Sequence, residues 1–218
     1  MKNLLLIILT VATLSVAGQK HLIGVKGGVN ITNVSLPNLS NDTKNRVSYI
    51  RGLTYEYLIN SSFSLSADLL LDLRGFHYEI PMYDDLGHPT GYSGTTREDF
   101  TYLSFPLKAG YNIGDNLYGY VNLGVIPAIL LNSVVTIPIG SWLGDRTYNN
   151  YSNYRKFDIS ALIELGGGYN ISDRIRLCTS FSFQNSLMPA TLPEDGDLFE
   201  LTHYGMTITA GIKYTLMK

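Results

Sequence analysis

The feature that most narrows the folding options is a period of two in residues 99–132, DFTYLSFPLKAGYNIGDNLYGYVNLGVIPAILLN. Leu103, Phe105, Leu107, Ala109, Tyr111 and Ile113 share one parity; Ser104, Pro106, Lys108, Gly110 and Asn112 share the other. After the turn Gly114-Asp115-Asn116, Leu117, Gly119, Val121, Leu123 and Val125 alternate with Tyr118, Tyr120, Asn122 and Gly124. Successive side chains of a strand point to opposite faces, so the stretch predicts a long hairpin with one apolar and one polar face. Pro106 has no amide to give a ladder, so a bulge is expected there.

The same alternation recurs at about 21–31, 48–59, 63–79, 155–170, 175–185 and 202–217, which with the two strands of the hairpin makes eight. The connections alternate long and short: 32–47, 80–98, 133–154 and 186–201 are long and polar, whereas 60–62, 114–116 and 171–174 are turns. That rhythm predicts an all-β fold, an eight-stranded antiparallel up-and-down transmembrane β-barrel with short periplasmic turns and long outer loops. Eight strands close a barrel that its own side chains can fill.

The N-terminus agrees. Met1-Lys2-Asn3 is a short positive segment, Leu4 to Val16 is a thirteen-residue run without charge, and Val16-Ala17-Gly18 suits signal peptidase. Residues 1–18 are therefore expected to be a removed signal peptide and 19–218 the barrel domain. Thirteen apolar residues are too few to span a hydrocarbon core of about 30 Å as a helix. One cysteine, Cys178, allows no internal disulfide, and a net charge of −2 offers no field for nucleic acid.

A soluble eight-stranded barrel would show the same period with its faces reversed. Three features point to lipid on the apolar side. The polar parity carries Lys26, Glu56, Asp68, Asp72, Arg74, Lys108, Lys156, Asp158, Glu164, Arg176 and Lys213, charges of mixed sign that fit a narrow lumen only as a paired network. Tyr57, Tyr111, Tyr169 and Tyr214 lie on the apolar parity near the short turns or the C-terminus, and Phe157 and Tyr204 near the other rim, as two interfacial aromatic girdles. The strands are long enough for a tilted span. Arg51 falls on the apolar parity, which fits only at the strand's outer rim.

Tyr102-Leu103-Ser104-Phe105-Pro106-Leu107-Lys108, Tyr118-Gly119-Tyr120-Val121-Asn122-Leu123-Gly124, Glu56-Tyr57 with Phe63-Ser64-Leu65 and Asp68-Leu69-Leu70-Leu71, and Gly166-Gly167-Gly168-Tyr169 resemble the small outer-membrane β-barrel family of Bacteroidetes-type bacteria, the PorT-like or "porin family" barrels. The resemblance spans the mature chain and implies an OmpA/OmpX-like shape. It implies no single activity, and PorT-like members are linked to a secretion system. Many such barrels end in an aromatic residue; this one ends Leu216-Met217-Lys218, with Tyr214 nearby.

Motifs for chemistry are sparse. His203, Glu200 and Ser186 fall at one rim, a conceivable hydrolase set without a local motif. Asp84-Asp85 and Glu194-Asp195-Gly196-Asp197 lack the spacing of a cation-binding loop. Gly27-Gly28 and Gly166-Gly167-Gly168 precede no helix and cradle no phosphate; bare backbone for neighbouring tyrosines is their expected use. Cys178 is expected to be packing, and Trp142 with the tyrosines of 148–154 makes the third loop the most adhesive. The expectation is a monomeric scaffold with no cofactor, no metal and no catalytic residue. Its partners are the lipid bilayer and an extracellular or secretion-machinery protein. The alternatives are a small-solute channel and a rim-located hydrolase.

Overall fold

The computed structural model describes residues 20–36, 43–83, 87–138, 144–192 and 200–216. Its strands are β1 (Lys20–Ser35), β2 (Lys44–Leu58), β3 (Phe63–Tyr83), β4 (Pro89–Ser104), β5 (Leu107–Gly114), β6 (Leu117–Pro138), β7 (Asp145–Asn149), β8 (Phe157–Asn170), β9 (Ile175–Ser186) and β10 (Thr202–Thr215). β4 and β5 are two halves of one stave, since both pair with β3 on one side and β6 on the other. The break falls at Phe105-Pro106, where proline removes a ladder donor. The neighbouring strands bridge it: Phe105 N–H donates to the Pro127 carbonyl at 2.8 Å and Asp68 N–H to that of Pro106 at 3.0 Å. Every stave pairs antiparallel with the next, and β10 pairs with β1, so eight staves close a ring. β7 is an appendage paired with β6.

The registers fix the barrel's shape. Stepping straight across from Lys20 leads through Leu58, Ser64, Gly110, Asn122, Glu164, Ser182 and Thr207 back to β1 at Asn30, ten residues from the start. Eight strands with that stagger tilt about 40° from the barrel axis, inside the usual range.

Short turns close the periplasmic end, each with a local cause. Asn60 Oδ1 accepts from the amides of Ser62 and Phe63, both at 2.8 Å. Ser172 Oγ accepts from those of Arg174 and Ile175 at 3.3 and 3.1 Å. Gly114 adopts φ +101°, and a Cβ there would stand 2.4 Å from the Leu117 carbonyl oxygen.

The two faces differ as the parity predicts. On β3, Leu65, Leu69 and Leu71 are exposed, whereas Asp68 and Asp72 are 4% and 1% exposed. A chain with charges inside and leucines outside has lipid as its solvent on that face.

The outer strand ends run further than alternation suggests. β3 continues to Tyr83, β4 begins at Pro89 rather than Asp99, and β6 runs to Pro138 before β7 returns. Beyond the membrane the outward face of the ladder meets water instead of lipid, so the apolar period fades while the hydrogen bonds continue. Residues 1–18, where a signal peptide is expected, and Asp84-Asp85, Trp142, Glu194-Asp195-Gly196-Asp197 and Met217-Lys218 lie outside the described residues.

Candidate functional site

The lumen is the candidate site, and it is stacked in layers. At its centre Lys26 and Lys108, on β1 and β5, face Asp68 and Glu164, on β3 and β8. Both ammonium groups donate to Asp68 Oδ2, at 2.8 and 2.9 Å. Lys108 Nζ also lies 3.1 Å from Glu164 Oε1, and Lys26 Nζ 3.6 Å from Oε2. Asn122 donates to Glu164 Oε1 at 2.6 Å and Ser180 to Oε2 at 3.4 Å. The square is neutral, which is what a dry interior requires of buried charge.

Toward the outside, the Arg74 guanidinium bridges Asp72 and Asp158, at 2.7 Å each. Asn30 donates to Asp72 Oδ1 at 2.7 Å, and Ser104 to its Oδ2 at 3.2 Å. Asp158 accepts from Ser160 at 3.0 Å and from Ser186. These hydroxyls and the amide offset a cluster with one carboxylate more than its cations. Arg74 lies over the Tyr102 ring, 4.7 Å from its centre.

Toward the periplasm, Lys213 pairs with Glu56 at 2.7 Å. Below them Tyr118 and Tyr120 lie on the bare backbone of β8: a Cβ on Gly166 would stand 2.2 Å from the Tyr120 ring, and one on Gly168 2.4 Å from that of Tyr118. Arg176 stands at the mouth, 5.6 Å from the centre of the Tyr118 ring. A vestibule of about 760 Å³ opens there, lined by both. Around the central square the internal void is only about 20 Å³, room for about one water molecule.

One charge departs from the expected network. Lys156 is not in the lumen; it is exposed, with Nζ 3.4 Å from the centre of the Tyr151 ring and a hydrogen bond to the Tyr151 carbonyl. β8 begins at Phe157, so parity assigns Lys156 no inward direction. Of the girdle residues, Tyr111, Tyr169, Tyr214 and Phe157 are exposed on the wall, and Tyr57 and Tyr204 are half-buried there.

A further layer, missed in the sequence, caps the lumen on the outer side. Phe76, Phe100, Tyr102, Tyr154 and His203 form a buried aromatic cluster. The rings of Tyr154 and His203 each meet Phe100 edge-on at 4.8 Å. Tyr154 donates to Glu98 Oε2 at 2.5 Å. Glu98 is thirteen residues above Tyr111 along the stave, about 33 Å at the tilt derived above and beyond an apolar band of about 25 Å. Burial there pushes the Glu98 carboxyl above the usual carboxylate range, with the Tyr154 hydrogen bond opposing in part. The available signal was large aromatics, Phe100 and Tyr102, on the otherwise polar parity.

Two residues of the rim hydrolase set, His203 and Ser186, are buried. Ser186 is bound to Asp158, while His203 is 2% exposed with Nε2 3.4 Å from the Tyr102 hydroxyl. Among the described residues, no group of three His, Cys, Asp or Glu could hold a metal ion.

The sequence model of the family described as "Outer membrane protein beta-barrel domain" matches residues 17–191. No curated protein matches the sequence. Among solved structures, the chain is similar to the outer membrane protein OprG from Pseudomonas aeruginosa, at 14% identity and TM-score 0.51, over 94% of this chain and 100% of that one. It is also similar to the outer membrane protease OmpT from Escherichia coli, at 11% identity and TM-score 0.51, over 94% and 99%. At such identities the likeness is one of fold.

Proposed function

Because the chain belongs to the outer membrane protein β-barrel domain family, we propose that it serves as a non-conducting, monomeric scaffold that presents its long outer connections to a partner outside the cell. The observation that carries this reading is the filled lumen: ion-paired, aromatic and tyrosine–glycine layers follow one another, with a void of about 20 Å³ at the centre. Conduction needs a continuous wet path, and paired charges held by hydrogen bonds do not step aside without leaving a carboxylate unpaired. Purified protein in a planar bilayer is expected to stay silent. Stable open steps would replace this reading with that of a small-solute channel.

The role is a binding one and not catalytic. His203 and Ser186 are buried and hydrogen-bonded to Tyr102 and Asp158. Turnover of a lipid or peptide that disappears in His203→Ala would overturn this. The resemblance to PorT-like barrels motivates a secretion-machinery component as the partner. The exposed rings of Tyr92 and Tyr148, on the outer extensions of β4 and β6–β7, are the contact surface in this reading. A photo-crosslinker at Thr147 should capture that component in native outer membranes, and Tyr148→Ala should weaken the capture.

A further inference from the structure

The lipid-facing wall of β2, β3, β5 and β6 holds a groove of about 720 Å³. Its cause is two alanines among large neighbours. The outward residues form adjacent cross-strand rows, Tyr55–Ala67–Leu107–Val125 and Tyr57–Leu65–Ala109–Leu123. Ala67 and Ala109 sit diagonally in these rows, so the floor sinks between a tyrosine wall and an aliphatic one. The volume lies within the roughly 300–1,000 Å³ of small-molecule sites.

The groove is polar at one end. At the short-turn rim the half-buried His21 of β1 stands opposite Tyr57. Its Nδ1 is 2.8 Å from the Tyr55 hydroxyl, and its ring is 5.0 Å from that of Tyr57. From there toward mid-membrane the lining side chains that face lipid are Leu65, Leu107, Leu123, Val125 and the two alanines. A polar mouth at headgroup level, followed by an apolar trough inside the hydrocarbon, is the profile of a single lipid.

We propose that this groove is a phospholipid site. One acyl chain of a periplasmic-leaflet phospholipid lies along Ala67 and Ala109, and the His21–Tyr55 pair meets its ester or phosphate oxygens. With the Tyr55 hydroxyl donating to Nδ1, the His21 proton sits on Nε2 and is donated to the headgroup. The inference rests on the membrane placement and is independent of the scaffold reading, since a conducting barrel could carry the same groove.

Native mass spectrometry of detergent-purified protein titrated with palmitoyl-oleoyl phosphatidylethanolamine tests it. The expected result is a one-to-one adduct that survives detergent washing. Ala67→Leu with Ala109→Leu fills the trough and should weaken the adduct about tenfold, the equivalent of about 1.4 kcal/mol. His21→Ala should weaken it less. Both leucines face hydrocarbon, so the filled variant should keep its circular dichroism and heat-modifiable migration. No adduct on the unaltered protein, or equal adducts on both proteins, overturns the proposal. A dimer peak lost on filling overturns it too, and assigns the groove to a second copy.

Discussion

At the scale of single residues, the lumen charges behave as a set. Asp68 Oδ2 receives both Lys26 and Lys108, and Glu164 is shared by the same two cations. Removing one lysine leaves a buried carboxylate short of a partner, which costs about 3–5 kcal/mol. Lys108→Met is therefore expected to lower stability by that amount in urea unfolding from phospholipid vesicles. Lys108→Met combined with Glu164→Gln leaves a balanced Lys26–Asp68 pair and should cost less than the single change; a cost equal to the sum would mean the four groups are uncoupled. A second case concerns Gly168, where a methyl group would meet the Tyr118 ring and the Leu177 carbonyl oxygen, both at 2.4 Å. Gly168→Ala should destabilise by about 1–3 kcal/mol, and Tyr118→Ala in the same chain should restore part of it, as the carbonyl contact remains. Period two assigns a face to such residues but not a partner. The tyrosines and the glycines they cover are about fifty positions apart in sequence, and only the β6–β8 register brings them together. Lys156 marks the other limit of parity, since it precedes the strand whose alternation would aim it.

At the scale of elements, the membrane-spanning segments were legible because lipid on one side and packed polar groups on the other impose a strict code. The outer extensions were not, because their outward side chains, Thr95 of β4 and those of β7, meet water rather than lipid, so no apolar face marks them. What holds these extensions is the aromatic cap and the Tyr154–Glu98 hydrogen bond, which ties the segment after β7 to β4. Burial raises the folded-state Glu98 pKa, so the folded cap holds that proton more firmly than an open one does. The contribution is therefore present below the ordinary glutamate value of about 4.3 and is lost as pH rises through the raised folded-state value. Proteolytic nicking between residues 144 and 156 should speed up across that window in the unaltered protein. Glu98→Gln should flatten the dependence, because the amide oxygen still accepts from Tyr154 and carries no titrating proton. A profile unchanged by this substitution would place the sensitivity elsewhere. At the periplasmic end, Gly114 holds a positive φ that closes the β5–β6 turn. Gly114→Ala should cost about 1 kcal/mol or more and slow refolding into vesicles if that hairpin forms early, read from the folding arm of the kinetics.

At the scale of the whole molecule, alternation and loop rhythm state the strand count and the antiparallel order, but not the closure. The stagger of ten residues is a sum over eight pairings, and no single segment encodes it. Closure has two consequences that meet in one test. It removes sheet edges, as hydrocarbon demands, and it gives the molecule two unlike ends: turns of a few residues on one, ladders rising beyond the lipid on the other. Barrel insertion with the short turns inward fixes which end faces the cell exterior. In a Cys178→Ser background, Asp115→Cys and Ser172→Cys sit on the short turns, while Tyr92→Cys and Thr147→Cys sit on the outer extensions; all four positions are exposed. A membrane-impermeant maleimide added to intact cells should label the latter pair and spare the former until the envelope is opened. Labelling of the turn positions in intact cells would invert the molecule, and would move the aromatic cap, Tyr92 and Tyr148 to the periplasm. A partner would then have to be sought on that side, while the lumen layers, set by registers alone, would stand unchanged.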